Sequence, residues 1–243
     1  MVKIIIFLMK LFLLVLATIF FSSCHFKNGG LEGSGDVVTQ ARSLSKDFTK
    51  IDVSQGITVN VVQSDDTSVI VEADDNIIEH ITTKVENGVL IIESDNSYSS
   101  EKTPTVTVKL PIISGLISSG NASISSDSVL ITDKIEIDAE SASSIDIKVE
   151  ADLISIDAAS GSTVSVSGKA LKLTTSASSG SEIDADHLTT NEIYAEATSG
   201  SSTSVDPILK LEAHASSGSS ISYKTTPKNL SKEEDSSASV SSM

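Results

Sequence analysis

The chain has 243 residues, 39% of them apolar and 4% aromatic, with 33 Asp and Glu against 17 Lys and Arg and a formal charge of −16. That balance argues against nucleic acid and against direct binding to anionic lipid headgroups, both of which select basic surfaces. Cys24 is the only cysteine, which excludes a disulfide framework.

Residues 1–23 read as a lipoprotein signal peptide. Lys3 and Lys10 precede an apolar run from Leu11 to Phe21, followed by Ser22, Ser23 and Cys24. The run is too short to span a bilayer and suits a signal-peptide core. Phe21-Ser-Ser-Cys24 is similar to a bacterial lipobox, whose cysteine becomes the lipidated first residue of the mature protein. A leucine is commoner where Phe21 stands. Lipid on Cys24 would make the membrane a partner and place the exported chain in the bacterial envelope, at the outer membrane. Loss of Lys3 and Lys10 with the signal takes the charge from −16 to −18. Residues 24–35 are polar and glycine-rich and are expected to be a flexible tether.

Residues 36–110 carry strands and hairpin turns without an evident repeat. Ile57-Thr-Val59-Asn-Val61 alternates, Val69-Ile-Val71 is apolar, and Gln63 to Thr67 is a turn cluster between them. Ile81–Val85 and Val89–Ile92 flank Asn87-Gly88, a strong signal for a two-residue hairpin. Thr105–Leu110 is a further alternating strand, ended by Pro111, and Asp74–His80 has room for one helical turn. This region would also cover the open edge that a stack of strands leaves at its end.

From 111 to 223 a Ser-Gly turn returns about every twenty residues, a period that marks a solenoid. Glycine stands at Gly120, Gly161, Gly180, Gly200 and Gly218, with Ala142 in the second copy. An aliphatic residue lies seven places before each: Ile113, Ile135, Ile154, Leu173, Ile193 and Leu211. Another follows within five: Ile124, Ile145, Val164, Ile183, Val205 and Ile221. Ile135-Glu-Ile137, Ile154-Ser-Ile156 and Leu171-Lys-Leu173 alternate with the period of a strand. About twenty residues at roughly 3.3 Å each suit one coil of a parallel β-helix, with coils about 4.8 Å apart. Ile154 and Leu173 are expected in one interior column, with Lys172 outside. The glycines are read as corners at positive φ, and the Ala142 corner as a different backbone shape. A Ser/Gly linker would not hold aliphatics in register around six turns, and a leucine-rich repeat would need more leucine and a helical period.

Arg42, Phe48-Thr-Lys-Ile51, Gln55-Gly-Ile-Thr-Val59, Asp75-Asn76-Ile77, Asn87-Gly-Val-Leu-Ile91 and Val108-Lys-Leu-Pro111 precede the repeats in order, which end at Ser222-Tyr223 with a proline at 227. The ordered set resembles the head GIN domain family, described as auto-transporter adhesins and often found on Bacteroidota lipoproteins. The resemblance covers residues 36–227. It implies an all-β, right-handed parallel β-helix, one domain over 36–223, and an adhesive role. It brings no catalytic residues with it. Amphipathic barrel strands are missing from the C-terminal sequence, so self-transport across an outer membrane is not expected. Residues 224–243, rich in Ser, Lys and acids, are expected to be a disordered tail.

The chemistry-bearing residues do not converge. His25, His80, His187 and His214 are scattered. On a regular strand Asp184 and Asp186 would share one face and His187 the other, which disfavours a metal site. No Gly-x-Ser-x-Gly elbow occurs, and a motif such as Ser160-Gly-Ser162 that recurs at every corner reads as turn chemistry. Asp138, Glu140, Asp146, Asp152 and Asp157 are candidate acids for a glycosidase, yet they alternate with aliphatics as outward charges do. The expectation is a non-catalytic binding or spacing module without cofactor or metal, its ligand a protein or glycan. The alternative is a carbohydrate-active enzyme or sugar-binding module, favoured if two carboxylates share a groove beside a basic group.

Overall fold

The computed structural model describes residues 30–243 apart from Ser236; Cys24 and His25 lie outside the described residues. A strand with one apolar face can bury it only by stacking on another. The chain does so as an all-β solenoid of about 7 turns of roughly 19 residues.

The strands before the repeats are β1 (Leu31–Glu32), β2 (Val37–Arg42), β3 (Lys50–Val53), β4 (Thr58–Gln63), β5 (Ser68–Asp74), β6 (Ile81–Glu86), β7 (Val89–Ser94), β8 (Tyr98–Ser99) and β9 (Thr105–Leu110). The repeats are β10 (Gly115–Ser118), β11 (Ser123–Ala139), β12 (Ser144–Ala158), β13 (Thr163–Ala177), β14 (Glu182–Ala197), β15 (Ser202–Ala215) and β16 (Ser220–Tyr223). β17 (Asn229–Glu234) and β18 (Ser239–Ser242) follow them. One short 3-10 turn, Ile78–His80, lies within the Asp74–His80 stretch.

Each long strand rounds a bend without breaking. In β12, Ile145, Ile147 and Val149 face the core before the bend, Ile154, Ile156 and Ala158 face it afterwards, and Glu150, Asp152 and Leu153 are exposed between. Ile135, Ile154, Leu173, Ile193 and Leu211 stack in register as one interior column. Ile124, Ile145, Val164, Ile183, Thr203 and Ile221 form the column across the core. Thr203, not Val205, holds that place: it stands three residues after Gly200, as Val164 does after Gly161, so a threonine takes the aliphatic position at unchanged spacing; Val205 pairs with Ala185 and Tyr223. Leu171 is exposed beside the equally exposed Lys172, since both fall on the bend, where strand alternation lapses.

Residues 36–110 already contain coils. β3 pairs in parallel with β10 and β7, and β4 with β11 and β9. The β3–β4 coil therefore lies between the β7–β9 coil and the first repeat, out of chain order. It shows no Ser-Gly motif because its corner is Gln55-Gly56, at φ 62 and 72. Antiparallel β6 on β7, and β5 with β2 on β9, close that end. Arg42 locks the closure, its guanidinium donating to the Ile78 and Ile81 carbonyls at 2.7 and 3.0 Å.

Two expected flexible segments are ordered where described. Residues 30–35 form a strap: β1 pairs in parallel with β8, the Ser34 N–H donates to Asn76 Oδ1 at 3.0 Å, and Asn76 donates to the Glu32 carbonyl at 2.8 Å. The glycines that suggested a tether instead permit close approach, since a Cβ on Gly30 would lie 2.8 Å from the Ser97 carbonyl oxygen. The expected tail builds a last coil, β17 on β15 and β18 on β16. Its composition resembles disorder because Lys232 and Glu234 fill column positions next to Ala213 and Ala215. Lys232 Nζ donates to the Val240 carbonyl at 2.8 Å and lies 4.8 Å from the Tyr223 ring centroid, and Glu234 accepts from the Val240 N–H at 2.8 Å. Charges turned over the end of the core leave little apolar surface for another coil, though Leu230 on the Leu211 column stays 38% exposed.

Candidate functional site

The corners are built alike. Ser160-Gly161, Ser179-Gly180, Ser199-Gly200 and Ser217-Gly218 each place two successive residues at positive φ, 54–55 then 71–74. A hydrogen bond spans each turn, as from the Ser162 N–H to the Ala159 carbonyl at 3.2 Å, which makes these type I′ turns. Ser141-Ala142 adopts the same shape at φ 55 and 61, so the expectation of a different corner there is corrected: the fold holds an alanine in the left-handed region. The first corner is Gly120-Asn121, at φ 57 and 63. Gly120 thus aligns with the serines and Asn121 with the glycines, and Ile113, counted from Gly120, misses the Ile135 column by one residue. Asparagine tolerates this backbone.

The serine after each turn points inward. Ser143, Ser162, Ser181, Ser201 and Ser219 are buried, and each hydroxyl donates to a carbonyl of the preceding coil at 2.7–2.9 Å. Ser-Gly-Ser is therefore a corner with its own bolt. The regular spacing of that third residue was visible in the chain, but nothing there separated an inward hydroxyl from an outward one.

Two long faces look outward. On one, Thr58, Ser123, Ser144, Thr163, Glu182, Ser202 and Ser220 form a column, and Asn60, Ser125, Asp146, Ser165, Asp184, Ser204 and Ser222 run beside it. Apart from Asn60 and three acids, every member is a small hydroxyl, repeated at about the 4.8 Å strand spacing.

The other face is charged. Lys50 crosses β10 at Gly115 to reach Glu136, its Nζ 2.7 Å from Oε2, and Lys134 Nζ lies 2.8 Å from Oε1. A Cβ on Gly115 would lie 2.9 Å from the Lys50 side chain, so this crossing requires glycine. Lys134 first, then Lys50, hold the Glu136 carboxyl down at about 2. Asp138 is pushed the other way, by burial first and then by the charges of Asp157, Glu136 and Glu140. Glu136, Asp138 and Asp157 line an open groove of about 470 Å³ with Lys134 and Lys172.

The histidines remain apart. His80 Nδ1 lies 2.7 Å from Asp95 Oδ1. One extra residue in β14 between Asp184 and His187, opposite Ser165 and Ser167 of β13, breaks the alternation of β14. His187 is exposed there and paired with Asp186, not on the face opposite to it. His214 Nδ1 lies 3.0 Å from Glu233 Oε2, joining β15 to β17, and its ring centroid is 5.3 Å from that of Tyr194. Among the described residues, no group of three or more His, Cys, Asp or Glu could hold a metal ion.

A parallel β-helix with turn-bolted corners and two flat outward faces defines a rigid solenoid scaffold. The family described as putative auto-transporter adhesin, head GIN domain, matches residues 47–227, and the chain belongs to it. Its fold is similar to the crystal structure of a putative adhesin from Bacteroides fragilis, at 19% identity and a TM-score of 0.81, covering 88% of this chain and 100% of that one. A putative lipid binding protein from Parabacteroides distasonis aligns at 20% identity and 0.70, covering 88% and 99%. A putative adhesin from Parabacteroides merdae aligns at 18% and 0.71, covering 88% and 98%. A search of curated proteins finds no match.

Proposed function

We propose that this chain is a lipid-anchored, non-catalytic envelope module that binds an extended protein or glycan ligand along its hydroxyl face. The two outward hydroxyl columns carry this reading. They offer many weak, evenly spaced hydrogen bonds, which suits a polymer better than the convergent groups of a small-molecule pocket. Family membership supports the adhesive part. The anchor rests on Cys24 and its preceding residues. Arrays of polysaccharides and matrix proteins test the ligand, with Thr163→Lys and Ser202→Lys expected to abolish binding without loss of strand signal in circular dichroism. Binding unchanged by both substitutions would refute the assignment of the face. Cys24→Ser should move the protein from membranes to the soluble fraction.

A second reading is favoured by one observation. Glu136 and Asp138 share the groove with Lys134, and their surroundings push the two carboxyls in opposite directions. Such a split is how glycosidases separate an acid from a base. Turnover of a polysaccharide that vanishes in Asp138→Asn would establish this reading over the first.

A further inference from the structure

The ridge of corners changes character at its first coils. At the second left-handed position the later corners carry Gly161, Gly180, Gly200 and Gly218, with nothing within 4 Å of where a Cβ would stand. The first repeat corner has Asn121 there, at φ 63, in strained backbone that glycine would enter freely. The adjoining corner carries Gln55 at φ 62, and the Gly56 N–H donates to the Gly120 carbonyl at 3.0 Å. Both amides line a groove of about 450 Å³, shared with Asn96, Tyr98 and Thr103. The rest of its lining is serine and glycine, and none of the described lining residues is charged, in a chain of −16. Charged neighbours in sequence turn elsewhere: Asp95 to His80, Lys102 to Glu72 and Glu101 to solvent.

The frame of this groove is fixed before any ligand arrives. Tyr98 donates to the Gln55 carbonyl at 2.8 Å, and β8 is held by β1. Burial pushes the Tyr98 phenol up to about 12, so it keeps the proton it donates. Gln55 Oε1 accepts from the Ser94 N–H at 2.6 Å, which orients the amide and leaves its Nε2 to donate elsewhere. Asn121 and Thr103 are exposed, and among the described residues no hydrogen bond occupies either side chain. An amide presents a donor beside an acceptor, a pattern that two neighbouring sugar hydroxyls match, since each can donate and accept. A charged ligand would lose water here without meeting a counter-ion. A purely apolar one would leave the amides unpaired. We propose that this groove binds one or two rings of a neutral saccharide, held by Asn121, Gln55 and Thr103. Its size falls in the range of small-molecule sites, about 300–1,000 Å³. The hydroxyl columns begin past the ridge, at Thr58 and Ser123, so the site is separate from that face.

The test is saturation-transfer NMR on the full chain with methyl glycosides of glucose, galactose and mannose and their neutral disaccharides, beside glucuronate and a sulfated disaccharide. Transfer to at least one neutral sugar is expected, and none to the acidic ones. Asn121→Gly should weaken that binding about tenfold, equivalent to about 1.4 kcal/mol. Glycine is the residue of the later corners, so this variant keeps the fold, which an undiminished melting temperature verifies. Thr103→Val should weaken binding as well, whereas Thr163→Lys on the hydroxyl face should leave it unchanged. No transfer to any neutral sugar would overturn the proposal. So would binding that survives both Asn121→Gly and Thr103→Val, binding lost in Thr163→Lys, or equal binding of the acidic sugars.

Discussion

At residue scale the strain lies in Ala142. A side chain at φ 61 costs about 1–2 kcal/mol that glycine avoids. Ala142→Gly should therefore raise the denaturant midpoint, with a net gain of about 1 kcal/mol after the added freedom of the unfolded chain. Ala142→Val and Gly180→Val should both be destabilising. At Gly180 nothing lies within 4 Å of where a Cβ would stand, so its loss would come from the backbone alone. Thr175 is fully buried in the column of Ile137 and Ile156 with its hydroxyl unpartnered. Thr175→Val should gain about 1 kcal/mol in the same melt. The charged face predicts two opposed pH effects. Glu136 has a depressed folded value, so its ion triplet stabilises fully above 4.5 and is lost as pH falls towards about 2. Asp138 has a raised folded value, so its charge destabilises at neutral pH and does nothing below 3.8. Asp138→Asn should raise the melting temperature at pH 7, with the difference gone at pH 3.

At the scale of elements, the serine bolts tie each corner to the coil before it. Ser181→Ala should cost about 0.5–1.5 kcal/mol, because the Ala158 carbonyl keeps the Ser178 N–H as its other donor. A proportionally larger loss from Ser162→Ala with Ser181→Ala would show the bolts act together, measured as a double-mutant cycle. The repeat is legible because apolar alternation and turn chemistry agree over β12 to β15, which pairs Ile154 with Leu173 from the sequence alone. Register failed by one residue at Gly120, where the left-handed pair has glycine first and asparagine second. It failed at Val205 because a threonine, Thr203, takes the column place three residues after Gly200, and apolar character alone pointed two residues further on. The coil of β3 and β4 was hidden because its stacking partners are distant in sequence, and alternation records which residues face inward without saying what they stack on. The hydroxyl face follows from the same alternation, whereas the crossing of Lys50 over Gly115 depends on neighbours 65 and 21 residues away.

Across the whole molecule, stability in a stack is a sum of coils and their contacts, so the ends matter most. Lys232→Val together with Glu234→Ala would continue the interior columns to an apolar last coil. That variant should associate end to end, appearing as concentration-dependent species above the wild-type mass in light scattering. The wild-type chain should show no such growth from this end. The last coil was misread from sequence for the same reason that it works, since a cap is made of the residues a core rejects. The strap over residues 30–35 was misread likewise, because glycine marks both loose chain and close contact.

The displaced order of the first coils has a consequence in time. β3 and β4 are made early, yet one neighbour, the β7–β9 coil, arrives some forty residues later, and the other, β10 with β11, later still. A chain that emerges with its beginning first cannot wind this end turn by turn. Its early strands must wait, exposed, until the segment to Leu110 has closed around them, and only then can the repeats be laid down one upon another. The slow step is thus the founding of the stack, and everything from Ser123 onward grows on a template that has to be finished first.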